Sequence, residues 1–268
     1  MSAQPTGLDV ALEILSTRLY SDCSAKRKHE PELLEAGREL LRQVTFARSN
    51  QSSDHKLVRI AKACLTDPDA GPIAAALVER LKQAATVYEI YFFDHNDLLR
   101  ALLEAQPAAV LDALLLGEDR WAGHGLIEHL GDGGNLTDAI SCEALIAWCE
   151  GDREHRYPLA ASIITFACRL EATGSQAWSE QAKALLANAP DPKNVLPVFV
   201  NRFRPMSWSG SRAALIEANA RLLDSVESLV PSGLMPFVTE VKAQLAQEVA
   251  QLRQQEREQD RARDERFE

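Results

Sequence analysis

The sequence predicts an all-α protein, built as a right-handed stack of antiparallel helix pairs with about 12–13 helices. Apolar residues recur every three or four positions through almost the whole chain, which is the period of an α-helix. Proline and glycine clusters interrupt this pattern at short intervals and mark turns. Aromatic residues make up only 6% of the chain, and strand-like runs are few, so the evidence for sheets is weak.

The N-terminal part of the chain, residues 1–116, contains predicted helices at uneven intervals. Prolines mark several of their beginnings, because proline fits the first turn of a helix. Serine and aspartate mark others, because their side chains accept hydrogen bonds from the free amides of that turn. The first two predicted helices cover roughly residues 7–20 and 31–47. A third begins after a cap at Ser52 or Ser53, and a fourth runs from Pro72 to about residue 92. Two more begin after Asp97 and at Pro107.

The part of the chain from 125 to 253 is more regular. Helices are predicted to begin near residues 125, 142, 158, 177, 192 and 211, and starts two apart differ by about 34 residues. A repeated helix-pair spacing is typical of an α-solenoid, in which each pair buries its apolar face against its neighbours. We therefore expect one repeat-like domain over 1–253. Residues 254–268 are almost wholly polar and form either a charged helix or a frayed tail.

Charge and cysteine content restrict the function classes. The chain has 29 basic and 39 acidic residues, a net charge of −10, so nucleic acid is a disfavoured partner. No run of about 18 apolar residues is present, which predicts no membrane span. The five cysteines are scattered and odd in number, and the N-terminus lacks a signal-peptide pattern. These features predict a cytoplasmic protein with reduced thiols.

The helix-pair spacing and the leucine- and alanine-rich helix faces resemble HEAT-type and tetratricopeptide-type α-solenoids over about residues 31–230. Residues 204–224, followed by the charged C-terminal end, also resemble the C-terminal helical part of large uncharacterised bacterial proteins; the sequence there is RPMSWSGSRAALIEANARLLD. Some of those proteins belong to multi-component defence systems. The resemblance implies a module of a larger assembly or a stand-alone relative, and it carries no functional residue onto this chain.

The candidate partner contact is the link NRFRPMSWSGSR at 201–212, which combines arginine with large apolar side chains. Arginine, tryptophan and methionine are enriched at the energetic centres of protein interfaces. The alternative is that Met206 and Trp208 fill a groove between helix pairs, with Ser209 or Ser211 capping the next helix. The candidate contact residues are Arg202, Phe203, Arg204, Met206, Trp208 and Arg212.

Other clusters give weaker indications of chemistry. Cys142 and Cys149 share a helix face, and zinc is conceivable with His124, His129 and His155, but core burial is the preferred interpretation because zinc cysteines usually lie closer together. His95 lies in a cap-like DHND turn. The glycine-rich stretch 117–135 contains Glu128 and Asp132 beside two histidines, without a phosphate-loop lysine or a recognisable nucleophile.

The sequence thus favours a non-enzymatic scaffold or adaptor that binds another protein, with no cofactor and no metal. A regulatory or sensing module of a bacterial defence system is the first alternative. An enzyme whose site is assembled from scattered residues near 117–135 is the second, because all-helical enzymes need no linear motif.

Overall fold

A computed structural model describes residues 7–23, 30–46, 54–86, 95–117, 136–170, 175–204 and 208–265. These residues form twelve α-helices, several short 3₁₀ segments and one two-stranded sheet. The prediction of a mostly helical, all-α chain is confirmed. The chain separates into two compact units, residues 1–148 and 149–268, and the boundary falls inside the region predicted as one repeat-like domain.

Among the described residues of unit 1 up to 117, six helices are present, and alternate helices contact one another. α1 packs on α3 and α3 on α5, while α2 packs on α4 and α4 on α6. Leucine and alanine fill the space between these helices, and most of those side chains are fully buried. The helices are α1 (Gly7–Cys23), α2 (Pro31–Gln43), α3 (Asp54–Cys64), α4 (Gly71–Thr86), α5 (Asn96–Ala105) and α6 (Pro107–Leu115). A 3₁₀ segment, Leu136–Ala139, contacts α5, and α7 (Cys142–Glu150) spans the boundary between the units.

Side chains from neighbouring helices satisfy the carbonyl groups at helix ends in unit 1. Arg80 on α4 donates hydrogen bonds of 2.6–2.8 Å to three carbonyl oxygens at the end of α2. Arg38 on α2 donates to the Cys64 carbonyl oxygen at 2.9 Å, and Gln106 donates to that of Leu65 at 2.6 Å. The last carbonyls of a helix have no partner within it, so these donors remove a desolvation cost.

Apart from its 30-residue C-terminal helix, unit 2 contains short helices, and it also contains a hairpin that the sequence pattern did not reveal. The strands β1 (Ala167–Arg169) and β2 (Gln176–Trp178) are antiparallel, with Ala167 opposite Trp178. Three residues are too few to show the alternation that identifies a strand. The β-branched run at 195–203 is largely helical, since residues 196–202 form a helix. The helices are α8 (Arg156–Ile163), α9 (Glu180–Asn188), α10 (Leu196–Arg202), α11 (Arg212–Ala220) and α12 (Met235–Asp264).

An aromatic cluster forms the centre of unit 2. The rings of Phe166, Trp178, Phe199 and Phe203 lie with centroids 5.5–6.5 Å apart, in edge-on or tilted arrangements that favour aromatic pairs. The indole nitrogen of Trp178 donates a 2.8 Å hydrogen bond to the carbonyl oxygen of Leu222. The polar end of this buried ring is therefore satisfied within the core.

The C-terminal helix α12 is amphipathic only in its first half. Val238, Val241, Leu245 and Val249 are buried, and α12 contacts α11. Beyond residue 253 almost all side chains are polar, yet the helix continues to Asp264. Of the two interpretations of the tail, the charged helix is the one observed up to that residue. The helix predicted near residue 125 lies outside the described residues.

Candidate functional site

The link between α10 and α11 contains the predicted partner contact, and its first residues turn inward. Arg202 donates hydrogen bonds to the carbonyl oxygens of Ala161 and Ile164, at 2.9 and 2.6 Å. Its guanidinium carbon also lies 5.1 Å from the ring centroid of Phe166. Arg202 therefore caps the C-terminus of α8 and covers the aromatic cluster, as Arg80 caps α2 in unit 1.

Phe203 and Arg204 are also occupied inside unit 2. Phe203 is fully buried against Phe166 and Trp178. The Nε of Arg204 donates to Glu248 on α12 at 2.8 Å, and both side chains are partly exposed. The structure thus places this half of the candidate contact in the core or against a neighbouring helix. Met206 lies outside the described residues.

Trp208 and Arg212 lie on the surface of the link. Trp208 is 48% exposed, so it does not fill a groove between helices. The guanidinium carbon of Arg212 lies 4.7 Å from the centroid of its ring, within the range of a cation–π contact. Gly210, between them, has φ +80°, a conformation that glycine adopts without steric strain. We call Trp208 and Arg212 the Trp–Arg surface.

The backbone beside the Trp–Arg surface is held by α12. Ser211 caps α11 by accepting a hydrogen bond from the Ala214 amide, and its hydroxyl donates to Glu256 at 2.7 Å. The Ala213 amide donates to the other oxygen of Glu256 at 3.2 Å. These two hydrogen bonds, with the one from Ser211 the stronger influence, hold the pKa of Glu256 below its usual value. Of the two serines that the groove-filling alternative offered as the cap of this helix, Ser211 is the one that caps it.

Of the two cysteines considered for zinc, Cys149 is buried and Cys142 is partly buried. Burial raises the pKa of the Cys149 thiol to about 12, which keeps it protonated and poorly suited to metal binding. His155 is exposed and shares a hydrogen bond with Asp152, which raises the pKa of His155. His124 and His129 lie outside the described residues. Among the residues that are described, no group of three or more His, Cys, Asp or Glu could hold a metal ion.

The enzyme alternative depended on residues 117–135, of which the structure describes only Gly117. Glu128 and Asp132 therefore lie outside the described residues, together with the rest of that stretch. Within the described ranges, no helix is both long enough and apolar enough to cross a lipid bilayer.

His95 in unit 1 occupies a site that the sequence did not indicate. Its Nδ1 lies 3.0 Å from Oδ1 of Asp54, the first residue of α3. The ring of Phe46 contacts it edge-on, with centroids 5.1 Å apart. His95 is 2% exposed, and its Nε2 is buried with no hydrogen-bond partner in the part of the chain that the structure describes. It also lines a small cavity.

No local pattern indicates this pair, because Asp54 and His95 are 41 residues apart. His95 was predicted as part of a cap-like turn, and it does lie immediately before α5, but its side chain makes no capping hydrogen bond. A carboxylate at Nδ1 fixes the ring orientation and leaves Nε2 for another group. A buried Asp–His pair whose second ring nitrogen has no partner among the described residues is thus the chemically distinctive feature of unit 1.

No family model matches this chain, and neither a curated protein nor a solved structure matches it. The resemblance of residues 204–224 to defence-associated bacterial proteins therefore stays a prediction.

Proposed function

We propose that the chain is a non-enzymatic scaffold that binds another protein through the Trp–Arg surface of unit 2. The observation that carries this proposal is the 48% exposure of Trp208 beneath the Arg212 guanidinium. Leaving a large aromatic ring in water forgoes the stabilisation that burial would give, on the order of 2 kcal/mol. An interface recovers that energy by covering the ring.

The chemistry of the surface suits an interface centre. Tryptophan offers a large rigid area, and arginine offers several donors in one plane, so the stacked pair combines apolar contact with directed hydrogen bonds. The hydrogen bonds of Glu256 to Ser211 and Ala213 hold the adjoining backbone before any partner arrives. An ordered surface loses less conformational entropy on binding, which favours affinity.

The second part of the proposal is that the helix pairs form an α-solenoid. Its support is the arrangement in unit 1, where α1, α3 and α5 contact in one series and α2, α4 and α6 in another. Two parallel series of alternate helices are what a stack of helix pairs requires. Small-angle scattering tests this directly. A solenoid of the full chain has a radius of gyration well above the roughly 18 Å expected of a compact domain of this length, and a value near 18 Å contradicts it.

Affinity capture with matched variants tests the interaction surface. Immobilised wild-type chain is compared with Trp208→Ala, and the bound polypeptides are quantified by mass spectrometry. Tyr20→Ala is the control, because Tyr20 in unit 1 is 59% exposed and carries Arg59 with its guanidinium carbon 4.2 Å from the ring centroid. We expect at least one polypeptide to fall about tenfold with Trp208→Ala and to stay unchanged with Tyr20→Ala.

Two results of this capture contradict the proposal. In one, no polypeptide depends on Trp208 although the variant unfolds at the wild-type temperature. In the other, Tyr20→Ala removes the same polypeptides as Trp208→Ala, which indicates nonspecific adhesion to exposed aromatic rings rather than recognition of one surface.

A further inference from the structure

The Trp–Arg surface carries a positive charge that the described part of the chain does not neutralise. The Arg212 side chain is partly exposed, and it forms no ion pair or hydrogen bond with the residues that the structure describes. Residues 205–207 of the same link lie outside the described ranges, but their types are proline, methionine and serine, so none of them carries a carboxylate. Within the described residues, the Arg212 guanidinium therefore stacks on Trp208 without an acid to balance its charge.

Other arginines around the link differ from Arg212 in this respect. Arg204 pairs with Glu248 at 2.8 Å, and Arg253 on α12 pairs with Glu217 on α11. An arginine that already binds a carboxylate gains less from a second anion, because its charge and its donors are then shared. An anion that approaches this part of unit 2 therefore gains most at Arg212.

The carboxylate of Glu256 restricts which anion Arg212 can accept. It is bound on both sides of Arg212 in the sequence, by the Ser211 hydroxyl at 2.7 Å and the Ala213 amide at 3.2 Å. A phosphate carries up to two negative charges and binds best where several arginines converge, whereas Arg212 is one cation beside an existing carboxylate. A second carboxylate carries a single charge and fits the planar fork of guanidinium N–H groups. The charge of this surface therefore suits a carboxylate better than a phosphate.

Trp208 adds an apolar part to the same surface. Its ring is 48% exposed, so an apolar side chain that covers it removes hydrocarbon surface from water. Gly210 lies between Trp208 and Arg212 in the sequence. Apart from its own neighbours, no described atom lies within 4 Å of the position that a Cβ would take at Gly210. The backbone between the two side chains thus leaves room for a partner's chain.

We propose that the Trp–Arg surface recognises an acidic segment of its partner. The carboxylate of one Asp or Glu binds Arg212, and an apolar side chain two residues away covers Trp208, because alternate side chains of an extended segment point to the same side. This inference rests on the proposed function, which assigns the surface but not the chemistry of what it binds. The net charge of −10 acts weakly here, because charges more than about 8 Å apart are largely screened at physiological ionic strength.

NMR of the whole chain tests this with short peptides as probes. The acidic probe is acetyl-Leu-Gly-Glu-Gly-Leu-amide, and its neutral counterpart has Gln in place of Glu. The indole N–H signal of Trp208, assigned by its loss in Trp208→Phe, reports binding. The acidic probe is expected to shift this signal to saturation, and the neutral probe should bind about three- to tenfold more weakly because it lacks the charge.

Two variants show whether Arg212 is the source of this preference. Arg212→Gln is expected to reduce the affinity of the acidic probe to that of the neutral probe, and to leave the neutral probe nearly unchanged. Arg59→Gln is the matched control, because the Arg59 guanidinium carbon lies 4.2 Å from the ring centroid of the exposed Tyr20 in unit 1. The control should leave both affinities at the Trp208 signal unchanged.

Five results overturn the inference. They are no shift of the Trp208 signal with either probe, equal affinity for the two probes, a preference for the acidic probe that survives Arg212→Gln, an equal effect of Arg59→Gln, and tighter binding of the phosphoserine counterpart than of the acidic probe. The last result assigns the surface to phosphorylated segments. If Arg212→Gln does not fold, the comparison of the probes on the wild-type chain decides the matter.

Affinity capture separates this inference from the proposed function. A polypeptide that is lost with Trp208→Ala but retained with Arg212→Gln supports the proposed function and contradicts the acidic segment. If no polypeptide depends on Trp208, the proposed function itself fails.

Discussion

The two halves of the link between α10 and α11 use the same residue types in opposite ways. In the inner half, residues 202–204, the arginines bind protein groups and the phenylalanine is buried in the aromatic cluster. In the outer half, residues 208–212, tryptophan is exposed and its arginine stacks on it. Within residues 202–212, side chains typical of interface centres therefore have two structural roles. Those at 202–204 pack inside unit 2, and Trp208 and Arg212 lie at its surface.

The difference lies in what surrounds each arginine. Arg202 is close to the C-terminus of α8, where carbonyl groups need donors, and Arg80 meets the same need at the end of α2. Arg212 lies at the first turn of α11, where the backbone offers amides rather than carbonyls. Arg212 stacks on Trp208 instead, with its guanidinium carbon 4.7 Å from the ring centroid. The position of an arginine relative to helix ends therefore indicates its role better than its frequency in a segment.

The largest effect is expected in the inner half, from Phe203→Ala. Removing a fully buried ring that contacts Phe166 and Trp178 leaves a cavity, so the free energy of unfolding should fall by about 3–5 kcal/mol. Urea unfolding followed by circular dichroism measures this, with Phe203→Leu as a control that loses much less. A loss below about 1 kcal/mol would show that the cluster does not stabilise unit 2.

Arg202→Met should have the next largest effect. Methionine keeps an apolar stem but donates no hydrogen bond to the carbonyl oxygens of Ala161 and Ile164. The free energy of unfolding should therefore fall by about 1–3 kcal/mol. Arg202→Lys retains part of the donor capacity. Its free energy of unfolding, measured by the same urea titration, should lie between those of the wild type and the methionine variant. Equal stability of the methionine variant and wild type contradicts the capping role.

Arg204→Ala should lower the free energy of unfolding by less, about 0–1 kcal/mol, because the ion pair with Glu248 is partly exposed to solvent. A double-mutant cycle with Glu248→Ala isolates the coupling, which should shrink at high salt as the charges are screened. A coupling that exceeds about 2 kcal/mol and ignores salt would place this pair with the buried contacts of the inner half.

The smallest effect on stability is expected from Trp208→Ala in the outer half. Since the ring is about half exposed and Arg212 stacks on it, the free energy of unfolding should change by no more than about 0.5 kcal/mol. Differential scanning calorimetry measures the difference. A loss comparable to that of Phe203→Ala would mean that Trp208 belongs to the core, and the distinction between the two halves would disappear.

Helical periodicity and helix-start signals predicted much of the fold. Helices predicted to begin at Pro31, near 142 and near 211 begin at Pro31, Cys142 and Arg212, because proline, serine and the apolar repeat act within a few residues. The hairpin was missed because its strands are held by burial of Trp178 and by pairing, not by a local pattern. Tertiary contacts decide such short elements.

The candidate sites were predicted less well, since their defining contacts join distant positions. Arg202 reaches Ala161 across 41 residues, and Asp54 meets His95 across the same separation. Neither partner is visible from the local sequence. The sequence likewise does not decide whether Trp208 fills a groove or is exposed. The residues around it are short and polar, and they fit either arrangement.

The affinity of a purified partner for two variants tests the central proposal most directly. Trp208→Ala should raise the dissociation constant at least about tenfold, whereas Arg204→Ala should change it less than about threefold. Isothermal titration calorimetry measures both, on proteins whose unfolding has been compared first. A Trp208→Ala variant that binds as tightly as wild type, or an Arg204→Ala variant that loses equally much, contradicts a contact centred on the Trp–Arg surface.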